Sequence, residues 1–232
     1  PSAATIYSVT GSACGVNSAP VTYTVAVSAS PSITVNSGAI CSGSSFTMAP
    51  TGGTTYTYTG GSAVVSPTTN ATYTVTSSNV AGCIGSAVST VTVNARPIVS
   101  LLAGGVICPG ASYTLVANGA TTYTYSSGSA VVSPTATTTY SVTGTNTLGC
   151  LSSNTATTSV TVTSGPSITV NSGAICPGGS FTMTPTGGTT YTYTGGSAIV
   201  TPTSNATYTV TSANVAGCIG SAVSTVTVNA RP

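Results

Sequence analysis

Apolar and polar residues alternate along most of this chain, in short runs broken by Gly, Pro, Ser and Asn. Between residues 31 and 97 the runs are Ser32-Ile-Thr-Val-Asn36, Ser45-Phe-Thr-Met48, Thr54-Thr-Tyr-Thr-Tyr-Thr59, Ala63-Val-Val65, Ala71-Thr-Tyr-Thr-Val-Thr76 and Ser89-Thr-Val-Thr-Val-Asn94. A period of two sends successive side chains to opposite faces of a strand. Tyr56, Tyr58, Tyr73, Val75, Val91 and Val93 therefore share one face, and Thr55, Thr57, Thr72, Thr74, Thr76 and Thr92 the other. No segment carries the 3.6-residue period of a helix. Short strands with turn residues at close intervals predict an all-β chain of small antiparallel β-sandwich modules.

The pattern repeats. Pro31 to Pro97 and Pro166 to Pro232 are each 67 residues long and differ only at Ser42/Pro177, Ser44/Gly179, Ala49/Thr184, Val64/Ile199, Ser66/Thr201, Thr69/Ser204 and Ser78/Ala213. A more divergent copy lies between them. The chain thus reads as a tandem array: 1–30 is the C-terminal half of a module, and 31–97, 98–165 and 166–232 are complete ones. The differences between the two near-identical copies are small and scattered, with no hypervariable loop. The linkers Asn94-Ala-Arg-Pro97 and Thr163-Ser-Gly-Pro-Ser167 are short, and Pro fixes φ in each, which predicts a semi-rigid rod.

Six of the seven cysteines follow the same period. Cys41/Cys83, Cys108/Cys150 and Cys176/Cys218 are each 42 positions apart, which predicts one disulfide within each module and leaves Cys14 unpaired. Modules this small seldom provide more than about 3–5 kcal/mol from their cores. A disulfide closing such a loop adds roughly 4 kcal/mol in the chain-entropy treatment, so reduction is expected to unfold or loosen each module. Zinc ligation is disfavoured, because the chain has neither C-x-x-C nor His. Disulfides in turn imply an oxidising, extracytoplasmic location.

Composition narrows function by exclusion. The chain has no Asp, Glu or His, and its charged side chains are Arg96 and Arg231. General acid–base and nucleophilic catalysis lack a titrating partner, so no enzyme activity and no cofactor or metal are expected. Two Arg cannot build a basic groove for nucleic acid. No run approaches the roughly 20 apolar residues that span a bilayer. A net charge of +2 gives copies of the chain little mutual repulsion, and lateral or end-to-end self-association follows.

Several features carry two readings. Arg96 and Arg231, each in Asn-Ala-Arg-Pro, are candidates for contacts across a module boundary or for solvated linker charges. Asn70-Ala-Thr72 and Asn205-Ala-Thr207 are N-glycosylation sequons that also read as turn residues before a strand. The Tyr-Thr-Tyr strands suit a platform for surface glycans, but buried rings with hydroxyls at the rim fit the alternation better. Flat ice-binding arrays conflict with the twist of sandwich sheets, and stacked amyloid sheets with the long cysteine-marked period.

The stretches Cys176-Pro-Gly-Gly-Ser-Phe-Thr-Met, Thr190-Tyr-Thr-Tyr, Pro202-Thr-Ser-Asn-Ala-Thr-Tyr-Thr-Val-Thr and Asn214-Val-Ala-Gly-Cys218 carry a resemblance. They resemble the immunoglobulin-like and PKD-like repeats of large secreted surface proteins of Bacteroidota. The middle module echoes them in Cys108-Pro-Gly, Thr122-Tyr-Thr-Tyr and Gly149-Cys150. The resemblance covers the whole chain and implies an extracellular, cell-surface location within an adhesin or gliding filament. Relatives often place Trp where Tyr58, Tyr125 and Tyr193 stand and usually carry acids, so the family's metal-dependent members are a poor guide. The expected role is a structural stalk or filament; the alternative is an adhesin whose repeats bind glycans or surface proteins.

Overall fold

A computed structural model describes residues 1–230; Arg231 lies outside the described residues. The chain is all-β and forms two compact units, Pro1–Arg96 and Pro97–Pro232. The first unit opens with β1 (Thr5–Val9), β2 (Ser12–Ala13), β3 (Val16–Asn17) and β4 (Val21–Val25). β1 and β4 pair antiparallel, and β2 and β3 form a small hairpin between them. There follow β5 (Gly38–Cys41), β6 (Phe46–Thr47), β7 (Thr57–Tyr58), β8 (Val64–Val65), β9 (Ala71–Ser78) and β10 (Ile84–Asn94). They build a four-stranded sheet of order β5-β10-β9-β7 and a two-stranded partner, β6-β8.

The second unit repeats this plan twice. Its first set is β11 (Ser100–Leu101), β12 (Val106–Ile107), β13 (Tyr113–Thr114), β14 (Ala117–Asn118), β15 (Thr122–Tyr125), β16 (Val131–Val132), β17 (Thr138–Thr145) and β18 (Ala156–Val162). Its second set is β19 (Gly173–Ile175), β20 (Phe181–Thr182), β21 (Thr192–Tyr193), β22 (Ile199–Val200), β23 (Ala206–Ala213) and β24 (Ile219–Val228). The four-stranded sheets run β12-β18-β17-β15 and β19-β24-β23-β21, with smaller pairs β11-β14, β13-β16 and β20-β22.

The alternation explains these sheets. Val75 and Val91 are fully buried with Met48 and Val65, and Tyr56, Tyr58 and Tyr73 pack around them. Leu115, Val132, Tyr140 and Val160 form the second core, and Met183, Val200, Val210 and Val226 the third. Burying each such side chain is worth about 1.5–3 kcal/mol relative to exposure. Thr55, Thr57, Thr72 and Thr92 stand on the exposed face.

Two expectations need correction. The sheets are mixed, because β10 pairs β5 in parallel, with Val93 opposite Ile40 and Asn94 opposite Cys41. The run Ser32–Asn36 is also not a strand of the sheet. It touches Thr51 through a single bridge at Thr34. Asn36 explains its departure: the side-chain oxygen accepts the Ala49 amide (2.6 Å) and the side-chain nitrogen donates to the Thr47 carbonyl (3.1 Å). The side-chain bonds of Asn36 engage backbone groups of the β6 segment at that point.

Tyrosine hydroxyls fix the loops before β7, β15 and β21. Tyr56 donates to the Gly53 carbonyl and accepts the Gly53 amide, both at 2.9 Å. Tyr123 does the same with Ala120, and Tyr191 with Gly188. The rings of Tyr56 and Tyr191 pack against their cores, and all three hydroxyls are bonded to backbone, which removes them from a glycan platform.

Candidate functional site at the repeat junction

The loop before the last strand has the sequence Asn214-Val-Ala-Gly-Cys218. The side-chain oxygen of Asn214 accepts the amides of Ala216 and Cys218, each at 3.0 Å, and the Asn214 amide donates to the Cys218 carbonyl at 3.1 Å. Gly217, at φ 81°, supplies the left-handed residue such a tight loop needs. Asn146 holds Leu148 and Cys150 in the same way, and Asn79 holds Ala81 and Cys83. The loop tip is apolar and open: Val80 and Val215 are each 110% exposed.

The same asparagine grips the linker that enters its repeat. The Asn214 side-chain nitrogen donates to the Ser164 carbonyl at 2.9 Å. A Cβ at Gly220 would overlap the Pro166 carbonyl, and one at Gly165 would overlap the backbone of Ile219. The linker is therefore pressed backbone to backbone against the start of β24. In the first unit Asn79 binds Ser28 Oγ (2.9 Å) and the Ala29 carbonyl (2.7 Å) in the same place.

Cys218 then crosses to the preceding repeat. It is disulfide-bonded to Cys108, with Cα atoms 5.4 Å apart across a sequence separation of 110 residues. Cys108 sits in the turn after β12, closed by the Ala111 amide donating to the Cys108 carbonyl at 3.0 Å. This corrects the disulfides expected within modules. Cys108 is bonded to Cys218, not to Cys150; Cys176 is free, so it is not the partner of Cys218; and Cys83 is free, so it is not the partner of Cys41. Cys41 and Cys150 are both disulfide-bonded.

The reason lies in the sheet register. The loop cysteine of each repeat precedes the last strand, whereas the turn cysteine lies level with the end of that strand: Ile175 pairs with Val228, and Ile107 with Val162. β24 is 10 residues long, which at a rise of ~3.3 Å places Cys176 and Cys218 roughly 30 Å apart. A disulfide needs Cα atoms within about 7 Å. Equal spacing in sequence thus marked equivalent positions, not bonded pairs.

The remaining candidates fall elsewhere. Arg96 folds back on the turn after Cys41, its Nε donating to the Ser42 carbonyl (2.9 Å) and its Nη2 to Ser44 Oγ (3.4 Å). Asn70 accepts the Val93 amide at 2.7 Å, and Asn205 the Val228 amide at 2.8 Å, so both side chains fasten the strand they precede to the last strand. Cys14 stands exposed at the tip of the β2–β3 hairpin with φ 50°. Beside the linker lies a cavity of about 490 Å³ between Pro166, Gly187, Gly188, Thr189, Asn214 and Val215. The first unit has its counterpart, about 270 Å³, at Pro31, Gly52, Gly53, Thr54, Ser78 and Asn79. Among the described residues no helix is long and apolar enough to cross a membrane.

No known protein family matches the sequence, and no curated protein is detectably related. Solved structures with similar architecture do exist. One is a Ca²⁺-stabilized adhesin that helps an Antarctic bacterium reach out and bind ice, with 17% identity over 99% of this chain and 82% of that one, at a TM-score of 0.45. Another belongs to a 1.5-MDa bacterial ice-binding adhesin, with 15% identity over 87% of this chain and 99% of that one, at 0.31. A third is the I9–I11 tandem of titin, with 11% identity over 86% of this chain and all of that one, at 0.35.

Proposed function

We propose that this chain is a structural segment of a long secreted repeat protein that forms a stalk or filament at the cell surface. One observation carries the reading: the Cys108–Cys218 disulfide ties one repeat to the next, beside a linker clamped by Asn214. A bond in that position contributes to the stiffness of the array rather than to the fold of one repeat. The modules 1–30, 31–97, 98–165 and 166–232 serve as its units. A surface almost without charge favours packing of copies against each other, side by side or end to end. The location is extracellular, where the disulfide persists, and the resemblance to Bacteroidota surface repeats agrees with it.

Electron cryomicroscopy of the secreted, unreduced material tests this. Ordered filaments with an axial period of one or two repeats are expected. Thin, dispersed strings would overturn the filament and leave a stalk that presents some other domain.

A second reading rests on the recurring cavity beside Pro31 and Pro166. In that reading the repeats are adhesive and take a glycan or a surface protein there. Glycan-array binding that is lost on Thr189→Trp would favour it over the structural role.

A further inference from the structure

The edge strand of the four-stranded sheet pairs over different lengths in the two kinds of repeat. In the middle repeat β15 runs beside β17 for four residues: Thr122↔Thr145, Tyr123↔Gly144, Thr124↔Thr143 and Tyr125↔Val142. In repeat 31–97 the pairing of β7 with β9 covers only Thr57↔Thr76 and Tyr58↔Val75. In repeat 166–232 that of β21 with β23 covers only Thr192↔Thr211 and Tyr193↔Val210. Thr55 and Ser78, the equivalents of Thr122 and Thr145, have parted, and so have Thr190 and Ala213.

One side chain separates the strands. The middle repeat has Gly144 where the others have Ser77 and Ser212, and Ala120 where they have Gly53 and Gly188. A Cβ at Gly144 would stand 3.0 Å from the Thr122 carbonyl oxygen and 2.5 Å from the Ala120 methyl carbon, so the closed ladder there requires glycine. With serine instead, the side chain takes the room beside Gly53 or Gly188, and the stretch that carries Thr55 or Thr190 stands off. Ser77 and Ser212 are 4% and 5% exposed, and neither hydroxyl has a hydrogen-bond partner among the described residues. A buried group left so costs about 1–3 kcal/mol. Serine at this position weakens its own sheet, and its effect is to hold an opening.

In repeat 31–97 the opening is a cleft of about 150 Å³ lined by Thr55, Thr57, Thr76, Ser77, Ser78 and Ile84. Five of the six bring hydroxyl groups, which both donate and accept hydrogen bonds. Ile84, 66% exposed, adds an apolar side, and no charged residue lines the cleft. The opening does not depend on what precedes the repeat. Thr190, Thr192 and Ala213 are exposed, and Ile219 is 70% exposed, although the complete repeat 98–165 stands before them.

We propose that the cleft beside Ser77, and its equivalent beside Ser212, each bind one neutral sugar ring of a surface glycan. The threonine hydroxyls and the parted strand edges bond to the ring hydroxyls, and the apolar C–H face of the ring lies on Ile84 or Ile219. The cleft is well below the roughly 300–1,000 Å³ of sites for drug-sized ligands, which fits a single ring and not an extended chain. A charged sugar would be desolvated there without an ionic partner. The middle repeat, with its ladder closed, binds none. Ala213 in place of Ser78 removes one hydroxyl, so the site of repeat 166–232 is the weaker of the two. The proposal rests on the adhesive reading above and moves its ligand from the linker cavity to the edge of the sheet.

The experiment titrates the full 232-residue chain, isotope-labelled and unreduced, with glucose, galactose and N-acetylglucosamine, and with glucuronate as a charged counterpart. Amide chemical shifts are the readout. At least one neutral sugar is expected to give saturable shifts at Thr55, Thr57, Thr76 and Ser78, and weaker ones at Thr190, Thr192, Thr211 and Ala213. Thr122, Thr124, Thr143 and Thr145 should stay unmoved, and glucuronate should bind several-fold more weakly. Exchanging Gly53→Ala with Ser77→Gly, and Gly188→Ala with Ser212→Gly, copies the closed ladder of the middle repeat and should abolish the shifts. Thr76→Val with Thr211→Val keeps the strands and removes one hydroxyl from each cleft, and should weaken binding about tenfold. No saturable shift with any neutral sugar would overturn the site, whatever proteins the repeats are found to bind. Equal shifts in the middle repeat, or equal binding of glucuronate, would overturn it as well. Binding that survives the exchange and is lost on Thr189→Trp would also overturn it, and would leave the adhesive reading standing at the linker cavity.

Discussion

Asn214 and Cys218 are joined at both ends of one five-residue loop: the Asn214 side-chain oxygen accepts the Cys218 amide at 3.0 Å, and the Asn214 backbone amide donates to the Cys218 carbonyl at 3.1 Å. That geometry aims the sulfur at Cys108 of the preceding repeat while the same side chain holds the Ser164 carbonyl. Asn214→Ala removes an acceptor from two amides and a donor from the linker. A loss of about 1–3 kcal/mol is expected, seen as a thermal midpoint lowered by about 2–12 °C. The Cys108–Cys218 bond should also re-form more slowly after reduction and reoxidation. An unchanged midpoint would show that the loop holds its shape without the asparagine.

Reduction should separate repeats rather than melt them. Each repeat keeps its own core, such as Met183, Val200, Val210 and Val226, and the staple lies outside it. Cys218→Ser is expected to leave the far-ultraviolet dichroism of the strands unchanged. Amide exchange should quicken at Ser164–Ser167 while the slowest amides of β23 and β24 keep their protection. Wholesale loss of strand signal on reduction would restore the idea that each repeat needs its disulfide to fold.

Tyr191→Phe tests the hydroxyl that both donates to and accepts from Gly188, each at 2.8 Å. The ring stays in the core edge, so the expected cost is the two hydrogen bonds, about 1–2 kcal/mol in urea unfolding. Tyr56→Phe should behave alike, because it makes the same pair of bonds to Gly53.

Gly220→Ala places a methyl group against the Pro166 carbonyl, which is backbone and cannot rotate away. The linker must lift from β24. A destabilisation of about 2 kcal/mol or more is expected, together with faster proteolysis at 163–167. A stability within about 0.5 kcal/mol of wild type would mean that the close backbone approach does not hold the linker.

Val80 and Val215 project fully into solvent and pack on nothing within the chain. Replacing both by Ser should change folding stability by less than about 0.5 kcal/mol. If the loop tips serve contacts between copies, sedimentation velocity at high concentration will show less association in the double variant. Equal association would assign the contacts to other surfaces.

Much of the architecture was legible in the chain. The Tyr-Thr-Tyr and Thr-Val-Thr alternation placed Val75 and Val91 inside and most threonines outside, because a two-residue period leaves one face for the core. β5 was missed because Gly38-Ala-Ile-Cys41 is too short to show a period, and its parallel partner lies about 50 residues away. The disulfide partners were misread for a physical reason. Spacing in a repeat records where a residue sits in the fold, and the two cysteine positions are set at opposite ends of the last strand. The Asn-Val-Ala-Gly-Cys loop held a usable signal. An asparagine four residues before a cysteine, with Gly between, is the pattern of a side-chain-capped turn that fixes the cysteine backbone.

The Cys108–Cys218 staple also changes what a mechanical load can reach. The bridge fixes the distance between Cys108 and Cys218, so residues 109–217 cannot be drawn out to their full contour, roughly 370 Å at ~3.4 Å per residue, while it holds. Cys150, itself disulfide-bonded, lies within that stretch and keeps part of it on the load path. Such a strand would resist stretch by short, abrupt yields rather than by long unravelling, and it would regain its hidden length only where the surroundings turn reducing.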